Sequence, residues 1–232
     1  MTVPAAATAP VALVTGVSSG IGQAIATRLL DQGWRVAGVS RRDPGLDQPA
    51  FRWITADLTR PDDITAVADD LDQVQAVVHA AGQQYSARLG DLDIEHGARM
   101  WQLHVQAPIA LLNAVVTKLT DGGRIVLIGS RTSTGVAGKS QYAATKAALT
   151  GLARSWAMEL APRRITVNVV APGPTETAML TDPGRLTTPP QLPALGRFVQ
   201  PAEVAAMTAF LLGAEGGSIT GQQLVICGGA SL

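Results

Sequence analysis

Hydrophobic positions along the chain follow two alternating patterns. Short runs rich in valine, isoleucine and leucine, apolar at successive positions, are typical of strands covered on both faces. Longer segments with apolar residues at helical spacing separate these runs. The predicted strands cover residues 11–16, 34–40, 51–57, 75–82, 123–130, 165–173 and 222–229. The predicted helices cover residues 20–33, 62–71, 98–119, 140–160 and 201–213.

The alternation of strands and helices predicts an α/β fold, a Rossmann-type doubly wound parallel β-sheet with helices on both faces. The length of 232 residues suits one filled core rather than two. We therefore expect a single domain over residues 11–232, after a flexible leader of Pro and Ala at residues 1–10 that has no signal-peptide pattern. A Pro-rich stretch within residues 178–198 is interpreted as a substrate loop, with a disordered surface insert as the alternative.

Composition narrows the classes of partner. Lys plus Arg and Asp plus Glu balance at 18 each, so no electrostatic footprint for nucleic acid or an anionic membrane is visible. No apolar stretch approaches the roughly 20 residues of a membrane span. One cysteine excludes an internal disulfide, and no Cys/His spacing indicates a metal site, so we expect a soluble protein of a reducing, cytoplasmic compartment. Only 16% of residues are charged, which suits a protein that buries part of its surface against copies of itself.

A glycine-rich turn follows the first predicted strand. Thr15 and Gly16 are followed by Gly20 and Gly22, which lead directly into a predicted helix. Glycines let the backbone turn tightly and approach a ligand, and the amino terminus of a helix favours a pyrophosphate. The turn therefore predicts dinucleotide binding, with close packing between helix and strand as the alternative.

A tyrosine and a lysine lie one turn apart near the start of the helix predicted at residues 140–160. Tyr142 and Lys146 share a helix face, so a phenol and an ammonium point into one volume. The ammonium stabilises the phenolate, which suits the phenol to proton exchange with a carbonyl oxygen. Ser130, at the end of the fifth strand, is predicted to donate a hydrogen bond to that oxygen, with Ser133 as a rival. The bland alternative is a surface tyrosine beside a solvated lysine.

Taken together, these motifs resemble the short-chain dehydrogenase/reductase family in its compact single-domain branch, and are similar to 3-oxoacyl reductases. They are the glycine turn, Ala80 to Gly82, Ser130, the Tyr142 and Lys146 pair, and "PGPTET" at residues 172–177, in the family's order. The resemblance implies an NADPH-dependent oxidoreductase that reduces a ketone to a secondary alcohol, reversibly, with Tyr142 supplying the proton and Lys146 also holding the nicotinamide ribose.

The resemblance also implies partners and cofactor contacts. The expected assembly is a homodimer or homotetramer. The expected substrate is a small carbonyl compound, and the substrate loop favours a mainly apolar one because it has few charges and five apolar residues: Met179, Leu180, Leu186, Leu192 and Leu195. The residues expected to contact the cofactor follow the strand ends: Thr15, Gly16, Ser18, Ser19, Gly20, Ile21, Gly22, Ser40, Arg41, Asp57, Leu58, Ala80, Ala81, Gly82, Tyr142, Lys146, Pro172, Gly173, Thr175 and Thr177.

The end of the second strand bears on the choice of cofactor. Ser40 stands where relatives that use NAD carry an aspartate, and Arg41 supplies forked donors suited to a 2′-phosphate, so NADPH is predicted over NAD. A solvated arginine is the alternative for Arg41 and the preferred interpretation of Arg42. Asp57 resembles the family aspartate that meets the adenine, although aspartate is also a common turn residue.

One family residue is replaced. His104 stands where the family has an asparagine that shapes a helical kink and holds a water leading to the lysine. Histidine suits a proton relay, but a structural histidine with all its hydrogen bonds made is an equal alternative. His79 is interpreted as structural. A hypothesis from another class is a catalytically silent NADP-binding sensor or regulatory module, which has no need of Ser130, Tyr142 and Lys146 together.

Overall fold

The predicted strands form one fully parallel sheet. A computed structural model describes residues 9–182 and 188–232. The strand order is β3-β2-β1-β4-β5-β6-β7, and it reverses direction between β1 and β4, where doubly wound sheets bind their ligands. The strands are β1 Val11–Thr15, β2 Arg35–Ser40, β3 Phe51–Thr55, β4 Val74–His79, β5 Leu119–Ile128, β6 Thr166–Pro172 and β7 Gln223–Ile226.

Helices connect the strands and cover both faces of the sheet. The helix that carries the tyrosine and lysine has the predicted bounds, residues 140–160. The helices are α1 Gly20–Asp31, α2 Pro61–Asp69, α3 Ile94–Trp101, α4 Ala107–Val115, α5 Ser140–Leu160 and α6 Pro201–Leu212. Short 3₁₀ turns lie at Arg131–Thr134, Ala161–Arg163, Ala178–Thr181 and Ala214–Ser218.

The one long helix predicted over residues 98–119 is wrong in its continuity and its bounds. It begins as α3, where the Asp93 carboxylate accepts the backbone N–H groups of Glu95 and His96. It then widens into a π-helix at Gln102–Gln106 before α4 begins. Pro108 has no N–H to donate to the His104 carbonyl four residues earlier, so the regular α-helical ladder is interrupted there.

Two hydrophobic clusters, one on each face, show the double winding. Alternate residues of β1 point to opposite faces, so Leu13 packs in the cluster with Leu111 of α4 and Leu149 of α5. Val14 packs in the other cluster with Leu29 of α1. These leucines are fully buried. Burial of each leucine contributes about 1.5–3 kcal/mol of transfer free energy to folding. The helices are therefore held firmly against the sheet, and the sheet positions the loops at its carboxyl edge.

Part of two predicted segments lies outside the described residues. These are residues 1–8 of the leader and residues 183–187 of the substrate loop. Across the described ranges, no helix combines the length and the apolar character needed to cross a membrane.

Candidate active site

Two adjoining cavities open at the carboxyl edge of the sheet. They share Ile21, Ala80, Gly82, Thr177 and Met179, so they form one continuous cleft. The first, called here the glycine-turn cavity, is also lined by Gly16, Ser18, Ser19, Gly20, Gly22, Val39, Ser40, Arg41, Arg42, Ala56, Asp57, Leu58, Thr59, Ala81, Leu103 and Ala178. The second, called here the Tyr142 cavity, is also lined by Gln83, Gln84, His104, Ile128, Gly129, Ser130, Arg131, Thr132, Lys139, Tyr142, Lys146, Pro172, Gly173, Pro174 and Thr175.

The glycines of the turn have different physical roles. Gly16 adopts φ +76° and a Cβ there would lie 2.8 Å from the Ala81 Cα atom. Gly20 adopts φ +59°, at the wall of the cavity. A Cβ at Gly22 would collide with the Gly16 carbonyl oxygen. Close packing therefore accounts for Gly22, whereas Gly20 gives the chain a turn beside an open cavity.

The amino terminus of α1 fits an anionic group. Ser19 is its N-cap residue but makes no side-chain capping hydrogen bond, and the first turn contains no acidic residue. The partial positive charge of the helix end is therefore not neutralised by the protein, and Ser19, Gly20 and Ile21 line the glycine-turn cavity. The backbone N–H groups at this helix end, together with the glycine turn, suit the pyrophosphate of a nicotinamide dinucleotide.

Thr15 and His79 lie behind the cavity wall rather than on it. The Thr15 hydroxyl accepts hydrogen bonds from the N–H groups of Ala80 and Ala81, both at 3.1 Å, and lies 3.1 Å from His79 Nδ1. His79 Nε2 is 3.1 Å from the Leu103 carbonyl. Burial, followed by the charge of Lys146, lowers the His79 pKa to about 3, so the ring is neutral. Both residues support the loop after β4, and Thr15, which is fully buried, is not among the lining residues of either cavity.

The end of β2 offers exposed cations to the glycine-turn cavity. Arg41 and Arg42 are exposed at its wall. The Ser40 hydroxyl, by contrast, donates to the Arg42 carbonyl at 2.7 Å and lies 3.2 Å from the Trp53 indole nitrogen, so it stabilises the loop. Asp57 accepts hydrogen bonds from the N–H and hydroxyl of Thr59. Burial raises the pKa of the Asp57 carboxyl, but these bonds together with the charges of Arg41 and Arg60 outweigh that effect, so the pKa is lowered.

Ser130 lies in the Tyr142 cavity and its rival does not. Ser130 lies two residues beyond the end of β5, is buried, and has its hydroxyl 2.8 Å from that of Thr132. Ser133 instead accepts a hydrogen bond from Gln223 of β7 at 3.3 Å. Ser130 precedes the 3₁₀ turn at Arg131–Thr134 and Ser133 lies within it, so two serines three positions apart in sequence point in different directions.

Tyr142 and Lys146 are buried in the same cavity. The Lys146 ammonium lies 5.8 Å from the centroid of the Tyr142 ring and donates to the Ile128 carbonyl at 2.9 Å. Lys146 as a whole residue is only 5% exposed, and this burial lowers the pKa of its side chain to about 7. Tyr142 and Lys146 therefore form a buried pair on one helix face, and the alternative of a solvated pair on the surface is wrong.

His104 has both ring nitrogens hydrogen-bonded. The Gln83 N–H donates to Nε2 at 3.0 Å, so the proton is on Nδ1, which lies 2.8 Å from the Thr145 hydroxyl. That hydroxyl donates in turn to the Tyr142 carbonyl at 2.8 Å. Burial, with the charges of Lys146 and then His79, lowers the His104 pKa well below its usual range. The ring therefore connects the loop after β4 to α5 as a neutral group, the geometry of a structural histidine.

The segment after β6 crosses beneath both cavities. Pro172, Gly173 and Thr175 line the Tyr142 cavity, and Thr177 lines both. The Thr175 hydroxyl donates to the Gly173 carbonyl at 3.0 Å, which fixes the turn. Thr177 also contacts Gly20, since a Cβ at that glycine would lie 3.2 Å from the threonine methyl group. All four residues expected from the resemblance are therefore at the cleft.

Sequence reasoning missed several residues of the Tyr142 cavity: Gln83, Gln84, Arg131, Thr132 and Lys139. Two of them carried a usable signal, because Arg131 directly follows Ser130 and Lys139 precedes Tyr142 by three positions. The apolar residues of the expected substrate loop behave differently from one another. Met179 lines the cavity, whereas Leu192 and Leu195 are exposed and Leu186 lies outside the described residues.

Within the described ranges, no cluster of three or more His, Cys, Asp or Glu side chains has the arrangement of a metal site. A doubly wound sheet, a glycine turn beside an uncapped helix, and buried serine, tyrosine and lysine side chains define the class of a nicotinamide-dependent oxidoreductase.

Comparisons with known proteins identify the family. A family model described as enoyl-(acyl carrier protein) reductase matches residues 16–231. The 3-oxoacyl-[acyl-carrier-protein] reductase of Vibrio cholerae is 36% identical over 200 residues, 79% of this chain and 82% of that protein. The chain belongs to the short-chain dehydrogenase/reductase family, whose members act on CH–OH and C=O groups.

Two further relatives are relevant to function. The structure of a blue fluorescent protein from a metagenomic library in complex with NADPH matches with a TM-score of 0.86 and 31% identity, covering 96% of this chain and 98% of the other. A cyclic-di-GMP-binding biofilm dispersal mediator protein of Escherichia coli is 34% identical, over 71% of this chain and 73% of that protein.

Proposed function

We propose that this protein is an NADPH-dependent ketone reductase, reversible as an alcohol dehydrogenase, acting on a small carbonyl compound. The observation that carries the proposal is that Ser130, Tyr142 and Lys146 line one cavity, continuous with the glycine-turn cavity. When bound, the dinucleotide supplies the hydride. The name of the Vibrio cholerae relative supports the reaction type, and the NADPH bound in the related structure supports the cofactor.

The side chains of the Tyr142 cavity suit the oxygen of the ketone. As the carbonyl carbon is reduced, negative charge develops on that oxygen, and hydroxyl donors stabilise it. Tyr142 supplies the proton and Ser130 a hydrogen bond. The Lys146 ammonium, fixed by the Ile128 carbonyl, stabilises the phenolate that remains. His104 and Thr145 act as positioning residues, because their hydrogen bonds tie the loop after β4 to α5 at Tyr142.

The remaining parts of the cleft would hold the dinucleotide. The glycine turn and the start of α1 would take the pyrophosphate, Asp57 and Leu58 the adenine, and Arg41 a 2′-phosphate. Pro172 to Thr177 would contact the nicotinamide. Met179 supplies an apolar contact for a substrate whose body is mainly apolar.

We propose also that two or more copies assemble through α3 to α5. Trp101, Ile109 and Met158 on these helices are exposed apolar side chains, and Ala147 and Gly151 leave the surface of α5 smooth and exposed. Light scattering on the purified protein measures the assembly directly.

The single cysteine is consistent with a cytoplasmic protein.

The test is NADPH oxidation, with NADH in parallel, on a panel of acyl thioesters, cyclic ketones and diketones. The matched variant is Tyr142→Phe, which keeps the ring beside His104 and removes the hydroxyl. We expect kcat to fall about 10²–10⁴-fold in the variant, the usual contribution of a general acid. Turnover that survives unchanged in Tyr142→Phe would show that another group supplies the proton. An enoyl thioester belongs in the panel, because the family description names enoyl reduction.

A second candidate is a catalytically silent NADP-binding regulator. The name of the Escherichia coli relative favours it, since that protein is described by what it binds. The same panel separates the two: a regulator binds NADPH tightly and turns over none of the substrates, and its Tyr142→Phe variant binds as the parent does.

A further inference from the structure

The loop after β4 carries a buried glutamine at the wall of the Tyr142 cavity. Gln84 is only 8% exposed, and it lines this cavity but not the glycine-turn cavity. It shares the cavity with Ser130 and Tyr142, the groups proposed to contact the ketone oxygen. Gln84 therefore lies on the side of the cleft where a substrate would bind, rather than the pyrophosphate or the adenine of a dinucleotide.

Backbone hydrogen bonds on both sides of Gln84 fix this loop. The N–H of Gln83 donates to His104 Nε2 at 3.0 Å, and the N–H of Tyr85 donates to Met100 Sδ at 3.4 Å. Met100 belongs to α3 and His104 to the π-helix, so the loop is attached to two consecutive turns of one helical segment. The Gln84 side chain is therefore held at a defined place on the cavity wall and is not needed to anchor the loop.

The Gln84 carboxamide has hydrogen-bonding capacity that the protein leaves unused. Its Nε2 atom donates to the Ser86 hydroxyl at 3.1 Å. Among the residues that the structure describes, Oε1 has no donor and the second hydrogen of Nε2 has no acceptor. Oε1 is not sealed inside the protein, so a molecule in the cavity can reach it. A buried carboxamide with unused positions is costly unless a ligand completes its hydrogen bonds.

The chemistry of the unused end of the carboxamide selects a hydroxyl. An O–H group donates to Oε1, and its oxygen is also an acceptor for Nε2. The match survives exchange of the carboxamide oxygen and nitrogen, because a hydroxyl can bond to either atom. A methyl group in the same place leaves the Gln84 oxygen without a donor, and an ionised carboxylate has no hydrogen to donate to it.

We propose that the substrate is a ketone bearing a hydroxyl group, which Gln84 binds while Ser130 and Tyr142 hold the carbonyl oxygen. The inference rests on the proposed function and names the substrate class of that site. The hydride forms a new C–H bond at the carbonyl carbon, the π electron pair moves to oxygen, and Tyr142 supplies the proton. The hydroxyl is unchanged, so the product is a diol. A single hydroxyl is compatible with a substrate body that is otherwise apolar.

The first experiment compares ketones in which a hydroxyl is replaced by a methyl group of similar size, with NADPH at neutral pH. Hydroxyacetone is paired with butanone, and diacetone alcohol with methyl neopentyl ketone. We expect kcat/KM to favour the hydroxyketone of at least one pair by about 10- to 100-fold, because the methyl group leaves the Gln84 oxygen unpaired. The pair that shows the preference tells whether the hydroxyl is one or two carbons from the carbonyl.

Variants assign the preference to Gln84. Gln84→Met keeps the length of the side chain and removes the carboxamide, so the hydroxyl-to-methyl ratio of kcat/KM should fall about tenfold or more. Comparing the ratio between proteins cancels the intrinsic reactivity of each ketone. Gln222→Met is the matched control, because exposed Gln222 also donates from Nε2 to a group two positions away, the Thr220 carbonyl, and lines neither cavity. Its ratio should equal that of the parent. Thermal unfolding of each variant excludes loss of the fold as the cause, and an unchanged ratio in Gln84→Met overturns the proposal.

Binding without turnover provides an independent readout. Calorimetry on Tyr142→Phe loaded with NADPH should show hydroxyacetone or diacetone alcohol binding about tenfold more tightly than its methyl counterpart, and adding Gln84→Met should remove that difference. Reduction of ketones without any preference for the hydroxyl overturns this inference and leaves the proposed function standing. If the parent reduces none of the four, the proposed function fails on this panel. The calorimetric difference then decides the role of Gln84: its presence supports hydroxyl binding and its absence overturns it.

Discussion

The glycine-turn cavity and the Tyr142 cavity adjoin each other but are built differently. The first consists largely of main-chain turns at strand ends, with Arg41 and Arg42 exposed at its wall. The second is a set of buried side chains joined over long sequence distances. Lys146 bonds to Ile128 across 18 positions, and His104 to Thr145 across 41.

The difference is reflected in the ionisation of their side chains. In the Tyr142 cavity, burial lowers the pKa of Lys146 to about 7 and that of His104 well below its usual range. In the glycine-turn cavity the Asp57 pKa is lowered despite its partial burial, because the hydrogen bonds from Thr59 and the charges of Arg41 and Arg60 together prevail. One half of the cleft therefore depends on backbone shape and the other on low solvent access, and substitutions should affect them differently.

Of the substitutions that compare the two cavities, removal of the buried ammonium should have the largest effect. Lys146→Met should lower kcat about 10²–10³-fold, or about 2.7–4 kcal/mol, because the phenolate loses its stabilising charge. Steady-state kinetics measures it. Lys118→Met is the matched control, since Lys118 also donates to backbone carbonyls, those of Ala68 and Leu71, but away from the cleft. A kcat within twofold of the parent in Lys146→Met contradicts the prediction.

In the glycine-turn cavity the corresponding effect is steric. Gly16→Ala should lower the free energy of unfolding by about 2–4 kcal/mol, because a Cβ at φ +76° is strained and also meets Ala81. Urea unfolding measures the loss. Gly33→Ala separates the two causes, since Gly33 has φ +81° but open space around its Cβ position, and it should lose only about 1–2 kcal/mol. Equal losses at both glycines would exclude the contact with Ala81 as a cause.

A smaller effect is expected from the exposed cations of the first cavity. Arg41→Ala should reduce the preference for NADPH over NADH about 10- to 100-fold, since a charge-assisted hydrogen bond contributes about 1.5–3 kcal/mol. Fluorescence titration with both nucleotides measures it, and Arg42→Ala should change the ratio less. An Arg41→Ala protein with the parent's preference would remove this residue from cofactor selection.

The smallest effect concerns the buried histidines and pH. In the folded protein His104 and His79 stay neutral, whereas in the unfolded chain a histidine takes up a proton near pH 6.5. Because the folded-state pKa is lowered, stability is lost as pH falls through 6.5, by about 1 kcal/mol for each histidine between pH 6.5 and 5.5. Unfolding at pH 6.5 and 5.5 measures the slope.

The loss of stability on acidification that is due to His79 and His104 should be about half as large in His104→Asn. The pH dependence of kcat should be unchanged in this variant. A shifted pH–rate profile would instead restore the proton relay as a role for His104. The two readouts therefore separate a structural histidine from a catalytic one.

Sequence reasoning was most successful where the information was local. The strands, α5 and the pairing of Tyr142 with Lys146 all follow from periodicity within one segment. It failed at the helix predicted over residues 98–119, because the consequence of Pro108 is a π-helix rather than an end or a simple kink. The choice between Ser130 and Ser133 depended on a contact with Gln223, 90 positions from Ser133.

The sequence by itself determined the order of the elements, the doubly wound sheet and the glycine turn, since these depend on hydrophobic period and on the freedom of glycine. Only the tertiary structure decided that Lys146 is buried, that His104 has both nitrogens bonded, and that Arg131 and Lys139 line the cavity beside Tyr142. The physical reason is that burial and hydrogen-bond partners belong to groups brought together from distant segments. A side chain's charge state depends on those neighbours, which its own stretch of sequence does not specify.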